Sequence, residues 1–140
     1  MRRILVPVDG SDNALRAVRY AASLAKELSD VRLELVNVQD PLPQKVHTAL
    51  SEEEIARWQS GYSNLVLQPA TKILDALHVP YQAGSRVGSP ANEIAQQVHD
   101  MECDAIIMGT RGLGSLANLV IGSVATKIIH MVQVPVTLIK

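Results

Sequence analysis

Two periods of apolar residues alternate along the chain, and each switch between them marks the end of one element and the start of the next. Arg2 to Val8 is a short apolar run that stops at Pro7-Val8-Asp9-Gly10, a strand running into a turn. Ser11 or Asp12 is placed to cap a helix, and Leu15, Val18, Ala22 and Ala25 then recur at helical spacing to about Leu28. Val31 to Val38 reads as a second strand. Pro41 to about Ala49 is the least defined stretch, because Asp40-Pro41-Leu42-Pro43 restricts both the prolines and the residues before them. Ser51-Glu52-Glu53-Glu54 reads as a cap with acids in the first turn, where the helix dipole favours them. That helix extends to about Leu77, with Gly61 and Pro69 as the points where it would break or bend. Pro80 to Val87 is a third strand, and Ser89-Pro90 opens a helix through Ile94, Ala95 and Val98. Asp104 to Met108 is a fourth strand. Gly122-Ser123 begins the last helix, through Ile128 and Ile129, and Val134 to Ile139 closes the chain as a fifth strand.

Strands alternating with helices predict an α/β fold. The expectation is an open, doubly wound, five-stranded parallel sheet with helices on both faces, residues 1–140 forming a single Rossmann-like domain. Ligands on such sheets bind at the carboxyl ends of the strands, near the point where strand order reverses. Asp9, Val38, Gly88 and Gly109 all fall at expected strand ends. No linker, low-complexity tract or internal repeat interrupts the pattern.

Composition adds constraints. A chain of 140 residues is long enough for one proper core. With no Phe and one Trp, that core must be built from Val, Ile, Leu and Ala. A net charge of −1 argues against a nucleic-acid footprint and against a polybasic membrane patch. One cysteine excludes an intrachain disulfide and suits a reducing compartment. No apolar run reaches the ~18 residues that span a bilayer, and no signal-like region precedes the first strand, so the cytoplasm is the expected compartment.

The candidate chemistry lies after the fourth strand. Ala105-Ile-Ile-Met108 opens into Gly109-Thr-Arg-Gly112, and Gly122-Ser123 follows at a helix start. A strand opening into a glycine loop and then a helix N-terminus is the geometry that holds phosphate, since glycine lets the backbone approach and free N–H groups face the anion. No Asp or Glu follows Asp104, whereas Arg111 and Lys127 attract a polyphosphate. Two standard motifs fit poorly. Gly109-Thr-Arg-Gly-Leu-Gly114-Ser115 has P-loop spacing without the lysine that reaches the β- and γ-phosphates. Gly112-Leu-Gly114-Ser-Leu-Ala117 satisfies a dinucleotide fingerprint, but the acid it needs about 20 residues on is absent.

The spacing G-x-x-G, nine residues, then G-S at Gly109, Gly112, Gly122 and Ser123 resembles the nucleotide motif of the universal stress protein family. The opening Ile4-Leu-Val-Pro-Val-Asp9-Gly-Ser11, the Val-Gly88 before the third helix and the closing Val134-Pro-Val-Thr-Leu-Ile139 are similar to it too, so the resemblance spans the chain. It implies the adenine nucleotide alpha hydrolase-like variant of the fold and an ATP-binding, homodimeric stress-response sensor or regulator. It implies that Asp9 meets the ribose hydroxyls, with Pro7 and Val8 near the base and Val38 meeting adenine through its backbone. Gly88 and Met108 join that site at their strand ends. Gly109 and Gly112 fold the loop over the phosphates, and Gly122, Ser123 and Val124 give backbone N–H groups to them. Arg111 adds charge. ATP, or ADP or AMP with the same ribose and first-phosphate contacts, would come with Mg²⁺ or Mn²⁺ held mainly by the phosphates. The resemblance also implies a dimer through Val134–Ile139 and an unidentified regulatory protein partner.

Other readings stay open at this stage. One is a slow ATP hydrolase or nucleotidyl-transfer enzyme on the same fold; another is an interaction module that binds no nucleotide. Ser11 and Asp12 read as caps, and Ser123 reads as both a natural N-cap and a phosphate contact. His47, His78, His99 and His130 lack metal-ligand spacing, Cys103 is a core or surface thiol, and Trp58 serves packing or an interface.

Overall fold

The computed structural model describes residues 2–111 and 121–140. Among them five strands, β1 (Arg2–Pro7), β2 (Val31–Gln39), β3 (Tyr81–Val87), β4 (Ala105–Gly109) and β5 (Val136–Ile139), form one sheet in the order β3-β2-β1-β4-β5. Every pairing is parallel. The chain builds outward from β1 to β3, returns to the centre and builds outward again from β4, so the order reverses between β1 and β4. Helices α1 (Asp12–Glu27) and α3 (Glu52–Ala76) cover one face, and α4 (Pro90–Asp100) and α5 (Ser123–Met131) cover the other.

Alternate strand residues feed the two cores. Val6, Leu33, Leu35 and Ile107 pack with Val18, Ala21, Leu67 and Leu74 on one side. Leu5, Val36, Ile106 and Met108 pack with Ile94, Val98, Ala125 and Ile128 on the other. Cys103 lies buried in this second layer, and desolvation pushes its thiol up to about 11. It is therefore a core residue and a poor nucleophile.

Several strand ends shift by a residue from the sequence expectation, and three larger differences each have a physical reason. The Pro41 region carries a short helix, α2 (Gln44–Ala49), starting directly after Pro43. Proline disfavours a helix in the residue before it, not in those after it. α3 runs unbroken through Gly61 and Pro69, behind a capping box of Ser51 and Glu54. Pro69 and Leu65 are both exposed, so the carbonyl left without a donor stands on the solvent side of the helix. β5 starts at Val136 rather than Val134, because Pro135 has no N–H to give the ladder; its carbonyl still accepts from Ile106 N–H at 2.9 Å.

One core position works against stability. Glu34 of β2 is 2% exposed, and its Oε1 has no hydrogen-bond partner. Burial raises its pKa above the usual carboxylate value, against the pull of Arg3 and Arg32. The fold thus prefers the protonated acid. Its stability contribution is greatest below the unfolded-state pKa and is lost as pH rises through the folded-state pKa. Glu34→Gln is expected to stabilise the protein at pH 8 by about 1–3 kcal/mol. The gain should shrink towards pH 4.5, as read by urea unfolding at both values. An equal effect at the two pH values would show that Glu34 is not the titrating group.

Candidate functional site

The carboxyl ends of β1, β2 and β4 open into a cavity of about 510 Å³. Pro7, Val8 and Asp9 line it from β1 and the turn that follows. Val36 to Asp40 line it from β2, and Met108 to Arg111 from β4 and its loop. Gly122, Ser123 and Val124 contribute the start of α5. Trp58, Tyr62 and Val66 of α3 close one side, and Pro90 and Ile94 of α4 another. The cavity thus sits at the reversal of strand order, where adjacent crossovers leave on opposite faces and the sheet splays open.

Ten of the residues singled out from the sequence share this one cavity: Pro7, Val8, Asp9, Val38, Met108, Gly109, Arg111, Gly122, Ser123 and Val124. Gly88 is not among its lining residues. Its N–H donates to the Gln39 carbonyl at 2.8 Å, and a Cβ there would meet the Glu93 side chain at 2.8 Å, so its place is the junction of β3 with α4. Gly112 lies outside the described residues.

Local bonds fix the polar groups. Asp9 is exposed, and its Oδ1 accepts the Ser11 N–H at 2.9 Å, a turn that holds the carboxylate beyond the end of β1. Ser11 caps α1 by accepting from Ala14 N–H at 3.1 Å, while Asp12 is the helix's first residue. Ser123 is not the cap of α5. Gly122 holds that position, its carbonyl accepting from Thr126 N–H at 3.0 Å, so the Ser123 hydroxyl is not spent on capping. Ser123 and Val124 open the helix, where backbone N–H groups have no carbonyl four residues back within the helix, at the positive end of its dipole. The Gly122 N–H, expected to face a ligand, instead donates to the Thr110 carbonyl and staples the start of α5 to the residue that follows β4.

Two polar arrangements escaped the sequence reading. Asn13 is 7% exposed on the same stripe of α1 as Ala17 and Ala21. Its Nδ2 donates to the Ile139 carbonyl at 2.9 Å and its Oδ1 accepts from Arg111 N–H at 2.8 Å, joining α1, the end of β5 and the glycine loop. A polar residue at a core-facing helical position was the available signal. The second is a buried chain of side chains. Gln39 Nε2 donates to Ser63 Oγ at 2.7 Å and to the Gln59 carbonyl at 2.6 Å. Ser63 Oγ donates to Asn37 Oδ1 at 2.7 Å, and Asn37 Nδ2 donates to the Val8 carbonyl at 2.9 Å. Every linked group finds a partner, so the chain locks the middle of α3 onto the tips of β1 and β2.

The charged residues lining the cavity, among those described, are Asp9, Asp40 and Arg111. No cluster of three or more His, Cys, Asp or Glu side chains that could hold a metal occurs among the described residues. The arrangement offers backbone donors and a helix dipole at the start of α5, the Asp9 carboxylate, and apolar side chains including Val8, Val38, Val66 and Met108. Such a site suits an anionic ligand with hydroxyl groups and a flat apolar part.

Comparison with known proteins agrees over the full length. The model of the universal stress protein family matches residues 1–140. The chain is 31% identical to the universal stress protein MJ0531 of Methanocaldococcus jannaschii, covering 99% of this chain and 82% of that protein. The solved structure of hypothetical protein MJ0577 superposes with a TM-score of 0.84 at 26% identity, covering 99% and 95% of the two chains. A universal stress protein family protein from Arabidopsis thaliana, solved with AMP bound, shares the fold with a TM-score of 0.70 at 21% identity, covering 100% and 91%.

Proposed function

The chain belongs to the universal stress protein family, and from that premise we propose that it is a nucleotide-dependent regulator that binds ATP in the cavity at the ends of β1, β2 and β4. The observation that carries this reading is the convergence of Asp9 and the α5 N-terminus on one cavity. The phosphates lie at the Ser123 and Val124 N–H groups and the Ser123 hydroxyl, beside Gly109 and Arg111. Asp9 accepts hydrogen bonds from the ribose hydroxyls, and Pro7, Val8, Val38 and Met108 surround the base. Backbone donors and a carboxylate suit those two partners respectively. The AMP held by the Arabidopsis relative supports an adenine nucleotide as the ligand class. Mg²⁺ or Mn²⁺ enters with the phosphates. The residues present fit only such a shared role, since the described lining carboxylates are Asp9 and Asp40 and neither belongs to a metal-holding cluster.

The regulatory unit is a homodimer paired through β5, one of the two edges of the sheet, whose Val136, Leu138 and Ile139 are only partly buried in the single chain. Sedimentation equilibrium should give the mass of two 15.2 kDa chains, and a monomer at tens of micromolar would end the dimer reading.

Thermal unfolding tests the ligand. ATP at 100 times its Kd should stabilise the fold by about 2.7 kcal/mol, several degrees in melting temperature. Asp9→Asn should keep the fold and lose most of that shift, because a charge-assisted hydrogen bond becomes a neutral one. An unchanged melting temperature at millimolar ATP would count against the proposal.

A further inference from the structure

Two unlike groups of residues line the cavity, the backbone-rich start of α5 and the Trp58 and Tyr62 side chains of α3. These two side chains, one helical turn apart on α3, stack with ring centroids 5.6 Å apart and planes 6° from parallel. The chain has no Phe, one Trp and three Tyr, so two of its four aromatic side chains border this cavity. Both are about half exposed, Trp58 at 54% and Tyr62 at 48%. Neither therefore serves the core, which is aliphatic. The helix that carries them is not loosely placed. Gln39 holds the Gln59 carbonyl and the Ser63 hydroxyl, the residues that follow Trp58 and Tyr62, so the stack is anchored over the tip of β2.

We infer that the Trp58–Tyr62 stack is the wall against which the base of the bound nucleotide packs, and that it sets a preference for purines. The inference rests on the nucleotide reading above. A stacked aromatic pair presents a broad, polarisable, half-wet surface at a fixed height. A flat heteroaromatic ring covers that surface without needing hydrogen bonds, and a purine covers more of it than a pyrimidine. With phosphate at the α5 N-terminus and ribose at Asp9, the aromatic wall is left for the base. Val38 is the adjoining residue of β2 whose backbone reads the base edge.

Trp58 is the only tryptophan, so its fluorescence reports on this wall directly. Titration of the full chain with ATP should quench it, while inorganic tripolyphosphate should not. By calorimetry, Trp58→Ala should weaken ATP binding roughly tenfold, leave tripolyphosphate binding unchanged and narrow the preference for ATP over CTP. Trp58→Phe should restore most of the loss. Trp58 is exposed enough that neither variant disturbs the core. If Trp58→Ala binds ATP and CTP as the wild type does, the aromatic wall is overturned while the nucleotide site stands. If the wild type binds no ATP, both fall.

Discussion

Gly122→Val should abolish ATP binding and leave the sheet folded. Gly122 has φ −70°, which any residue adopts, so the cost is collision rather than backbone strain. A Cβ there would stand 2.9 Å from the Thr110 carbonyl oxygen and 3.5 Å from the Arg111 Cα. That carbonyl is the acceptor of the Gly122 N–H, so the two segments touch along their backbones and leave no room for a side chain. Valine must push Thr110 and Arg111, just after β4, away from the start of α5. The Ser123 and Val124 N–H groups then no longer face the same space as Gly109 and Arg111. The stability cost should be about 1–3 kcal/mol, borne at the rim rather than in either core. Calorimetric titration should show no saturable ATP heat for the variant, whereas circular dichroism should match the wild type. Wild-type affinity in Gly122→Val would place the phosphates elsewhere.

Gly109→Ala should cost both stability and affinity, since this glycine sits where α1 crosses the end of β4. A Cβ there would overlap Asn13 Oδ1 and come within 2.7 Å of Asn13 Cγ and 3.2 Å of its backbone carbonyl carbon. The Asn13 side chain cannot yield without releasing the Ile139 carbonyl and the Arg111 N–H, both of which it bonds. The expected loss is about 1–3 kcal/mol in unfolding free energy, and roughly tenfold or more in ATP affinity as the loop loses its tether. The cause can be isolated. In an Asn13→Ala background most of the collision is gone, so Gly109→Ala should then cost markedly less than it does alone. Equal costs in the two backgrounds would separate Gly109 from Asn13.

These two glycines also show what a sequence alone makes legible. The alternation of apolar runs and helical stripes encodes the parallel sheet, because each βαβ unit writes its own local pattern. Asp9, Met108 and Gly109 were placed at strand ends by that pattern, and the strand ends meet because the order reverses between β1 and β4. Glycine flagged the loop, but not what presses on it. Asn13 at Gly109 and the Thr110 carbonyl at Gly122 are contacts between segments about a hundred and about ten residues apart. No local periodicity contains the first of them. The chain of Gln39, Ser63, Asn37 and Val8 was hidden for the same reason, since polar residues inside a strand and a helix read as solvent-facing until their partners are seen. α2 was not foreseen because Asp40-Pro41-Leu42-Pro43 restricts the prolines and the residues before them and carries no signal for the residues after Pro43. Gly88 was drawn into the site by its position at the end of β3, yet β3 is the far edge of the sheet, and the glycine serves the turn into α4. Trp58 was read as packing or interface; its place on the cavity rim follows from α3 being docked at its middle, which only the tertiary bonds reveal.

A nucleotide site between Asp9 and the α5 N-terminus is decided by isothermal titration of nucleotide-free wild-type protein with ATP and Mg²⁺. Saturable binding with one ATP per chain is expected, weakened in Asp9→Asn and absent in Gly122→Val. No heat of binding up to millimolar ATP, or binding that both variants retain at full strength, would contradict it.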